Sequence, residues 1–200
     1  MQLKAENICF RYHEKAQWIL KEFSLSVKSG ERVGIIGPSG CGKSTLAHVI
    51  AGYRKPIQGQ VLLDGKPLPK QGYCPVQMIY QHPELAVNPR WKMGKILTEG
   101  WKPDEALLKR MGIEKSWLTR WPAELSGGEL QRFCIARVLS PKTKFLICDE
   151  ITSMLDVITQ AQIWQLLLEI TEQRDIGMIV ITHNMALADR VCTRIIEMPF

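Results

Sequence analysis

The 200-residue sequence has no run of about 18 apolar residues, which excludes a membrane-spanning helix. Its first residues, Met1-Gln2-Leu3-Lys4-Ala5-Glu6, lack the basic head and apolar stretch of a secretory signal, so the chain is expected to stay in the cytosol. It has no Cys-x-x-Cys pair. The six cysteines, at 9, 41, 74, 134, 148 and 192, are scattered without ligand-like spacing to histidine. They read as reduced core or loop residues, which argues against a disulfide framework or a zinc site. Internal repeats, low-complexity tracts and Gly/Ser-rich linkers are also lacking, which excludes a repeat architecture.

What is present looks like one folded domain, or one domain with a small insertion. Apolar residues make up 46% and charged residues 23%, and a mean hydropathy of -0.08 argues against both disorder and membrane embedding. Twenty-six Lys and Arg against 20 acidic residues give a formal charge of +6. That excess suits a phosphate ligand, a nucleic acid or an anionic membrane face, and does not choose among them.

Along the chain, residues 3–12 and 19–27 read as strands, followed by a turn at Ser29-Gly30-Glu31 and a short apolar strand at 33–36. A helix is expected from Lys43 to near Gly52, and strands at 61–63 and 76–80. From about His82 to Leu125 the texture changes. Pro83, Pro89, Pro103 and Pro122 punctuate short helical stretches such as 104–111, and residues 88–121 hold eight Lys or Arg against four Asp or Glu. This stretch reads as an α-helical subdomain inserted into an α/β frame. Helices at 129–139, 160–172 and 185–190 alternate with strands at 144–148 and 178–181, which implies a mostly parallel sheet covered on both faces.

Gly37-Pro38-Ser39-Gly40-Cys41-Gly42-Lys43-Ser44-Thr45 follows the apolar strand and opens the first helix. It matches G-x-x-x-x-G-K-[ST] in full. The glycines let backbone N–H groups close around phosphate oxygens, Lys43 can reach the outer phosphates, and the Ser44 hydroxyl can ligate Mg²⁺. A nucleoside-triphosphate site is therefore expected here. A second cradle stands far away in sequence: Leu125-Ser126-Gly127-Gly128-Glu129, at the start of a helix. One nucleotide needs one such cradle, so two suggest that each completes a site on a different molecule. The strand at 145–148 ends in Asp149-Glu150, placing carboxylates where a parallel sheet binds its ligand. Asp149 suits the Mg²⁺ shell, and Glu150 suits a base that activates water.

With these three motifs in this order, the sequence resembles the ATP-binding cassette ATPases over nearly its whole length. The resemblance implies a P-loop NTPase α/β fold with an N-terminal antiparallel β subdomain. It divides the single domain into a core of residues 1–81 and 127–200 and a helical subdomain of residues 82–126. It also implies ATP and Mg²⁺ as cofactors. Gln81 then looks like the glutamine that joins core to helical subdomain and touches Mg²⁺ with Ser44 and Asp149. Ser153-Met154-Leu155-Asp156 resembles the loop that crosses the dimer interface, with Met154 in place of a commoner small residue. His183 resembles the switch histidine that contacts the γ-phosphate. Tyr12 resembles the aromatic residue that stacks on adenine, with Phe10 as its rival.

Family members pack head to tail, so the loop at Lys43 of one chain and residues 126–128 of another would enclose one ATP. Asn88-Pro89-Arg90 and Arg120-Trp121-Pro122-Ala123-Glu124 resemble the peptide and nickel importer branch. That branch implies a second ATPase chain, either a paralogue or another copy. It also implies two transmembrane permease subunits and an extracellular or periplasmic solute-binding protein. The protein would be peripheral, on the cytoplasmic face of the membrane, with no nucleic-acid partner. The spacings are compact for the branch, with 38 positions from Lys43 to Gln81, and the chain runs only 17 residues past His183. The rival reading is an ATPase of the same family that moves no solute and acts on nucleic acid or the ribosome. A generic P-loop kinase is the third, and it leaves residues 125–129 without a task.

Overall fold

The computed structural model describes residues 1–152 and 155–198. In chain order the first elements are β1 (Gln2–Phe10), β2 (Leu20–Lys28), β3 (Arg32–Ile36) and α1 (Lys43–Ile50). Next come β4 (Gln58–Leu63), β5 (Lys66–Pro67), β6 (Val76–Ile79), α2 (Met93–Leu97) and α3 (Glu105–Arg110). The last third holds α4 (Gly127–Val138), β7 (Phe145–Asp149), α5 (Val157–Gln173), β8 (Gly177–Ile181), α6 (Met185–Val191) and β9 (Arg194–Glu197).

Two sheets result. An antiparallel sheet has the order β2-β1-β4-β5, and a parallel sheet has the order β6-β7-β8-β3-β9. Apart from Asp149 at the end of β7, the buried positions of the parallel strands are apolar, and the pleat deals alternate side chains to two cores. Leu146, Cys148, Met178 and Val180 face α4 and α5, where Phe133 and Leu167 are completely buried. Ile147, Ile179 and Ile181 face the other way, against Leu46 and Ile50 of α1 and against Leu3 and Ile8 of the antiparallel sheet. Each large side chain buried in this way contributes roughly 1.5–3 kcal/mol relative to exposure.

Register decides where function can sit. Ile79 pairs with Cys148, Asp149 with Ile181, and Ile35 with Ile181. The C-terminal ends of β6, β7, β8 and β3 are therefore level and adjacent, and the chain leaves them at Gln81, Glu150, His183 and Gly37. Residues 80–126 add no strand to either sheet. They form α2, α3 and three short 3₁₀ turns, pinned to α4 by Arg132, which donates to the Met111 carbonyl at 2.7 Å, and by Arg137, which donates to the Ala86 carbonyl at 2.7 Å.

The expected elements are present with shifted ends. β1 stops at Phe10 rather than Tyr12, and α5 begins at Val157 rather than Gln160, because the Asp156 carboxylate caps it by accepting from the Thr159 N–H at 2.9 Å. The edge strand β9 and the five-residue α2 are additions to the sequence-based expectation.

Candidate functional site

The phosphate loop begins where β3 ends. Gly42 has φ of 102°, and a Cβ there would sit 2.7 Å from Ile19 Cγ2, so only glycine fits without strain. Gly42 is also the N-cap of α1 and offers no side chain to the first-turn N–H groups. Those donors and the positive end of the helix dipole are left for an anion. The Lys43 ammonium is buried inside the curl, donating to the carbonyls of Gly37 and Pro38 at 2.7 Å each. A phosphate oxygen entering the loop would replace these carbonyls as the partner of a cation already in place.

Asp149 is buried, and among the described residues its Oδ1 has no hydrogen-bond partner. Burial pushes its carboxyl above the ordinary range, and the Glu150 carboxylate pushes in the same direction. The Ser44 hydroxyl and Lys43 pull the other way. An unpartnered buried carboxylate oxygen beside a hydroxyl is a fit for a hard cation. Among the described residues no cluster of His, Cys, Asp or Glu could hold a metal by itself. Mg²⁺ needs no such cluster, since it takes one or two side-chain oxygens and otherwise relies on water and substrate phosphates.

This carboxyl carries a stability consequence. A raised folded-state pKa means that the folded chain binds the proton more tightly than the unfolded chain. The penalty is absent below the ordinary Asp value of 3.8, grows as pH rises through the folded value, and is complete above it. Asp149→Asn is therefore expected to raise stability near neutral pH, because it removes the buried charge that burial penalises. Thermal melts of both chains across pH check this; the gap should close as pH falls. A variant that melts lower than wild type at neutral pH refutes it.

Glu150 is the hub. Its Oε2 accepts from Gln81 Nε2 at 3.0 Å, and its Oε1 lies 3.2 Å from His183 Nδ1. Three residues from three strand ends thus meet at one carboxylate. Glu150 holds φ of 47°, a left-handed conformation that costs a non-glycine residue about 1 kcal/mol or more, and its N–H is fixed by the Ile181 carbonyl at 3.0 Å. The His183 side chain is 66% exposed while that of Glu150 is 19% exposed, so the histidine reaches outward from a mostly covered carboxylate.

Tyr12 lies beside the phosphate loop, its hydroxyl 3.1 Å from Thr45 Oγ1. The ring is nearly half exposed, Phe10 meets it edge-on at 5.3 Å, and the Arg54 guanidinium stands 4.8 Å from its centre. Phe10 itself is buried in the core. Burial at the end of β1 therefore removes Phe10 as an accessible ring, while Tyr12, beyond the strand, stays open.

The second cradle is well formed. Ser126 caps α4, its hydroxyl accepting from the Glu129 N–H at 3.3 Å, while the Glu129 carboxylate accepts from the Ser126 N–H at 2.6 Å. This bond holds the Glu129 carboxyl below its ordinary range. Ser126, Gly128 and Glu129 share a groove with Trp117, Leu155 and Asp156, and no residue of 37–45 lines it. Asp156 spends its carboxylate on capping α5, and Ser153 and Met154 lie outside the described residues. Ser44 and Lys43 are thus brought to Asp149, and Gln81 and His183 to Glu150, while residues 126–129 stand in a groove of their own.

Two residues escaped the sequence reading. Arg54 gave no signal. Gln131 did give one, because it shares a helix face with the apolar Cys134, Ile135 and Val138. It is buried, and its Nε2 donates to the carbonyls of Tyr80 and Ile151 at 3.1 Å each.

Comparison with known proteins agrees with this arrangement. The ABC transporter family profile matches residues 20–153. The nickel import ATP-binding protein NikE of Escherichia coli (strain K12) is 38% identical over 208 aligned positions, which span 94% of this chain and 78% of that protein. The nickel import system ATP-binding protein NikE of Staphylococcus aureus (strain bovine RF122 / ET3-1) is 36% identical, spanning 97% of this chain and 85% of its own. Among solved structures, the dimeric post-hydrolysis state of the ATP-binding cassette MJ0796 bound to ADP and Pi superposes with a TM-score of 0.82 at 27% identity. That match covers 98% of this chain and 94% of the other. The chain belongs to the ABC transporter family and is one of its ATPases.

Proposed function

We propose that this chain powers an importer of nickel, of another metal chelate or of peptides, as one of two ATPase chains that close on ATP between them. The observation that carries the two-chain reading is the signature at 125–129. It is a capped, solvent-facing helix start in a groove that shares no residue with the chain's own phosphate loop. A second ATPase chain, a paralogue or another copy, would supply the missing half of each site.

Within one site, residues 37–45 cradle the phosphates, Lys43 faces the β- and γ-phosphates, and Tyr12 offers its ring to adenine. Ser44, Asp149 and Gln81 would hold Mg²⁺, which supplies charge neutralisation across the phosphates. Glu150 accepts a proton from the water that attacks the γ-phosphorus, and the bond to the bridging oxygen breaks to release ADP and phosphate. His183, whose Nδ1 is engaged by Glu150, presents its outer edge to the γ-phosphate. The Ser126–Gly128 N–H groups of the opposite chain close the other side, and Asp156 lies at the same junction.

We assign the core to residues 1–81 and 127–200 and the helical subdomain to 82–126. Among the described residues no helix is long and apolar enough to cross a membrane. A peripheral position at the cytoplasmic face, against two permease subunits that receive solute from an external binding protein, is in keeping with that. The surface after Gln81 supports such a contact: Leu85 is 76% exposed, and Trp121 stands exposed beside Lys92. Nickel is favoured as cargo by the two relatives named above, both nickel import proteins by description.

Reconstitution with the permease and binding-protein subunits in liposomes tests the proposal. ATP-dependent accumulation of Ni²⁺, a Ni²⁺ chelate or a peptide is expected. Turnover stimulated by nucleic acid and not by the permease would instead support the non-transport reading.

A further inference from the structure

We propose that Gln131 is a positioning residue that ties the signature end of α4 to Gln81 and Glu150, and so couples the two ATP sites of a dimer. The inference rests on the two-chain reading above and adds to it a physical link between the sites.

The link is a closed ring of hydrogen bonds. Gln131 lies five residues beyond Ser126, one and a half turns into a helix of twelve residues. Its side-chain nitrogen donates to Tyr80 O and to Ile151 O, both at 3.1 Å. Tyr80 is the residue before Gln81, and Ile151 is the residue after Glu150. Gln81 Nε2 then donates to Glu150 Oε2 at 3.0 Å and closes the circuit. One amide thus fixes, from the helix side, the backbone flanking both partners of the carboxylate bond.

Several features make this ring a coupling and not only a packing contact. Gln131 is 2% exposed, and among the described residues its Oε1 is buried without a partner, so the polar bonds of this amide there are those its nitrogen donates. A buried amide held through its donors alone has no alternative partner to move to when α4 shifts. Glu150 also sits in a left-handed conformation, with its own N–H bonded to Ile181 O and the next residue's carbonyl bonded to Gln131. Such a conformation persists only when its neighbours hold it, and Gln131 supplies one hold on the backbone beside it. A displacement of α4 therefore reaches Gln81 and Glu150 through bonds, without passing through a loop.

The consequence follows from which nucleotide each end touches. In the proposed dimer, residues 126–128 contact ATP held by the partner's loop, while Glu150 acts on ATP held by this chain. Closure of one site moves α4, and Gln131 transmits that movement to the carboxylate of the other.

Gln131→Met keeps the side-chain length and removes the amide. In the assembled transporter its turnover number is expected to fall about tenfold, with the Hill coefficient for ATP dropping toward one. Equilibrium ATP affinity of the isolated chain should stay within about twofold, and the melting temperature within a few degrees. If Gln131 acts through the Gln81–Glu150 bond, the double variant Gln131→Met/Gln81→Met should be no more than about twofold slower than the slower single variant. Unchanged turnover and cooperativity, or fully additive losses, overturn the inference. So does a turnover loss matched by lost ATP affinity and a large fall in melting temperature, which marks a structural role alone. Should the methionine variant not fold, Gln131→Asn, whose amide is one methylene too short to bridge both carbonyls, carries the same readouts. Glu150→Gln in the same complex separates the two failures. If it turns over normally, the reading of the site is wrong. If it is silent while Gln131→Met behaves as wild type, only the coupling is wrong.

Discussion

Glu150→Gln is expected to cut ATP turnover by at least about a hundredfold while leaving ATP affinity within about twofold of wild type. The substitution removes the negative charge and the basicity and keeps the shape. An amide oxygen turned toward Gln81 still accepts the bond that Glu150 Oε2 accepts now at 3.0 Å. The amide nitrogen then faces His183 Nδ1, which lies 3.2 Å from the present Oε1 and can accept in one of its tautomers. Both neighbours thus keep a partner, and the left-handed backbone at 150 keeps its bond to Ile181 O. What is lost is the group that can take a proton from water. Phosphate release under saturating ATP measures the loss, and equilibrium binding of ATP measures what remains. An ATP-bound dimer should accumulate, visible as a shift in size-exclusion volume that reverses when nucleotide is removed. Near-normal turnover would mean that the carboxylate meeting Gln81 and His183 has some other task.

That carboxylate was legible in the sequence only in part, and the reason is physical. The phosphate loop is contiguous, so its chemistry can be read from nine neighbouring residues. The hub is not: Gln81 and Glu150 lie 69 positions apart, and Glu150 and His183 lie 33 apart. Motif order points to all three, but only strand register, with β6, β7, β8 and β3 ending level, brings them to one point. The choice between Phe10 and Tyr12 rested on the same kind of fact. Both are aromatic and stand two residues apart, yet Phe10 is the buried last residue of β1 and Tyr12 lies beyond its end.

Where the reading placed boundaries wrongly, burial explains it. Val157 and Ile158 open α5 but are 79% and 72% exposed, so the apolar rhythm that marks a core-facing helix starts only at Ile163. α2 is five residues long and contains Gly94, which weakens any helical signal, although Met93, Ile96 and Leu97 are all buried. Gln131 shows the opposite case. Periodicity reveals a polar residue on an apolar helix face, but not that its partners are the two carbonyls beside Gln81 and Glu150. Only tertiary structure supplies those.

Ser126→Arg is expected to abolish ATP-dependent dimerisation, and with it to lower turnover by about a hundredfold or more, while the isolated chain still binds ATP. The two effects separate because no residue of 37–45 lines the groove that holds Ser126. Locally the substitution removes the hydroxyl that accepts from the Glu129 N–H at 3.3 Å. A lost cap of this kind costs about 1 kcal/mol, and water can satisfy the freed N–H because the site faces solvent. The fold should therefore survive. At the interface the effect is much larger. In the proposed dimer a long cationic side chain would occupy the space into which the partner's ATP descends, and it would do so at a helix N-terminus, where the dipole already disfavours positive charge. Ser126→Ala separates the two causes, since it removes the cap and adds no bulk. It should melt slightly lower than wild type and still assemble with ATP. Static light scattering with and without ATP, run beside equilibrium ATP binding for all three chains, gives the result. If Ser126→Arg assembles as wild type does, residues 125–129 do not complete a second molecule's site. If it fails to bind ATP even as a single chain, the two cradles are not independent.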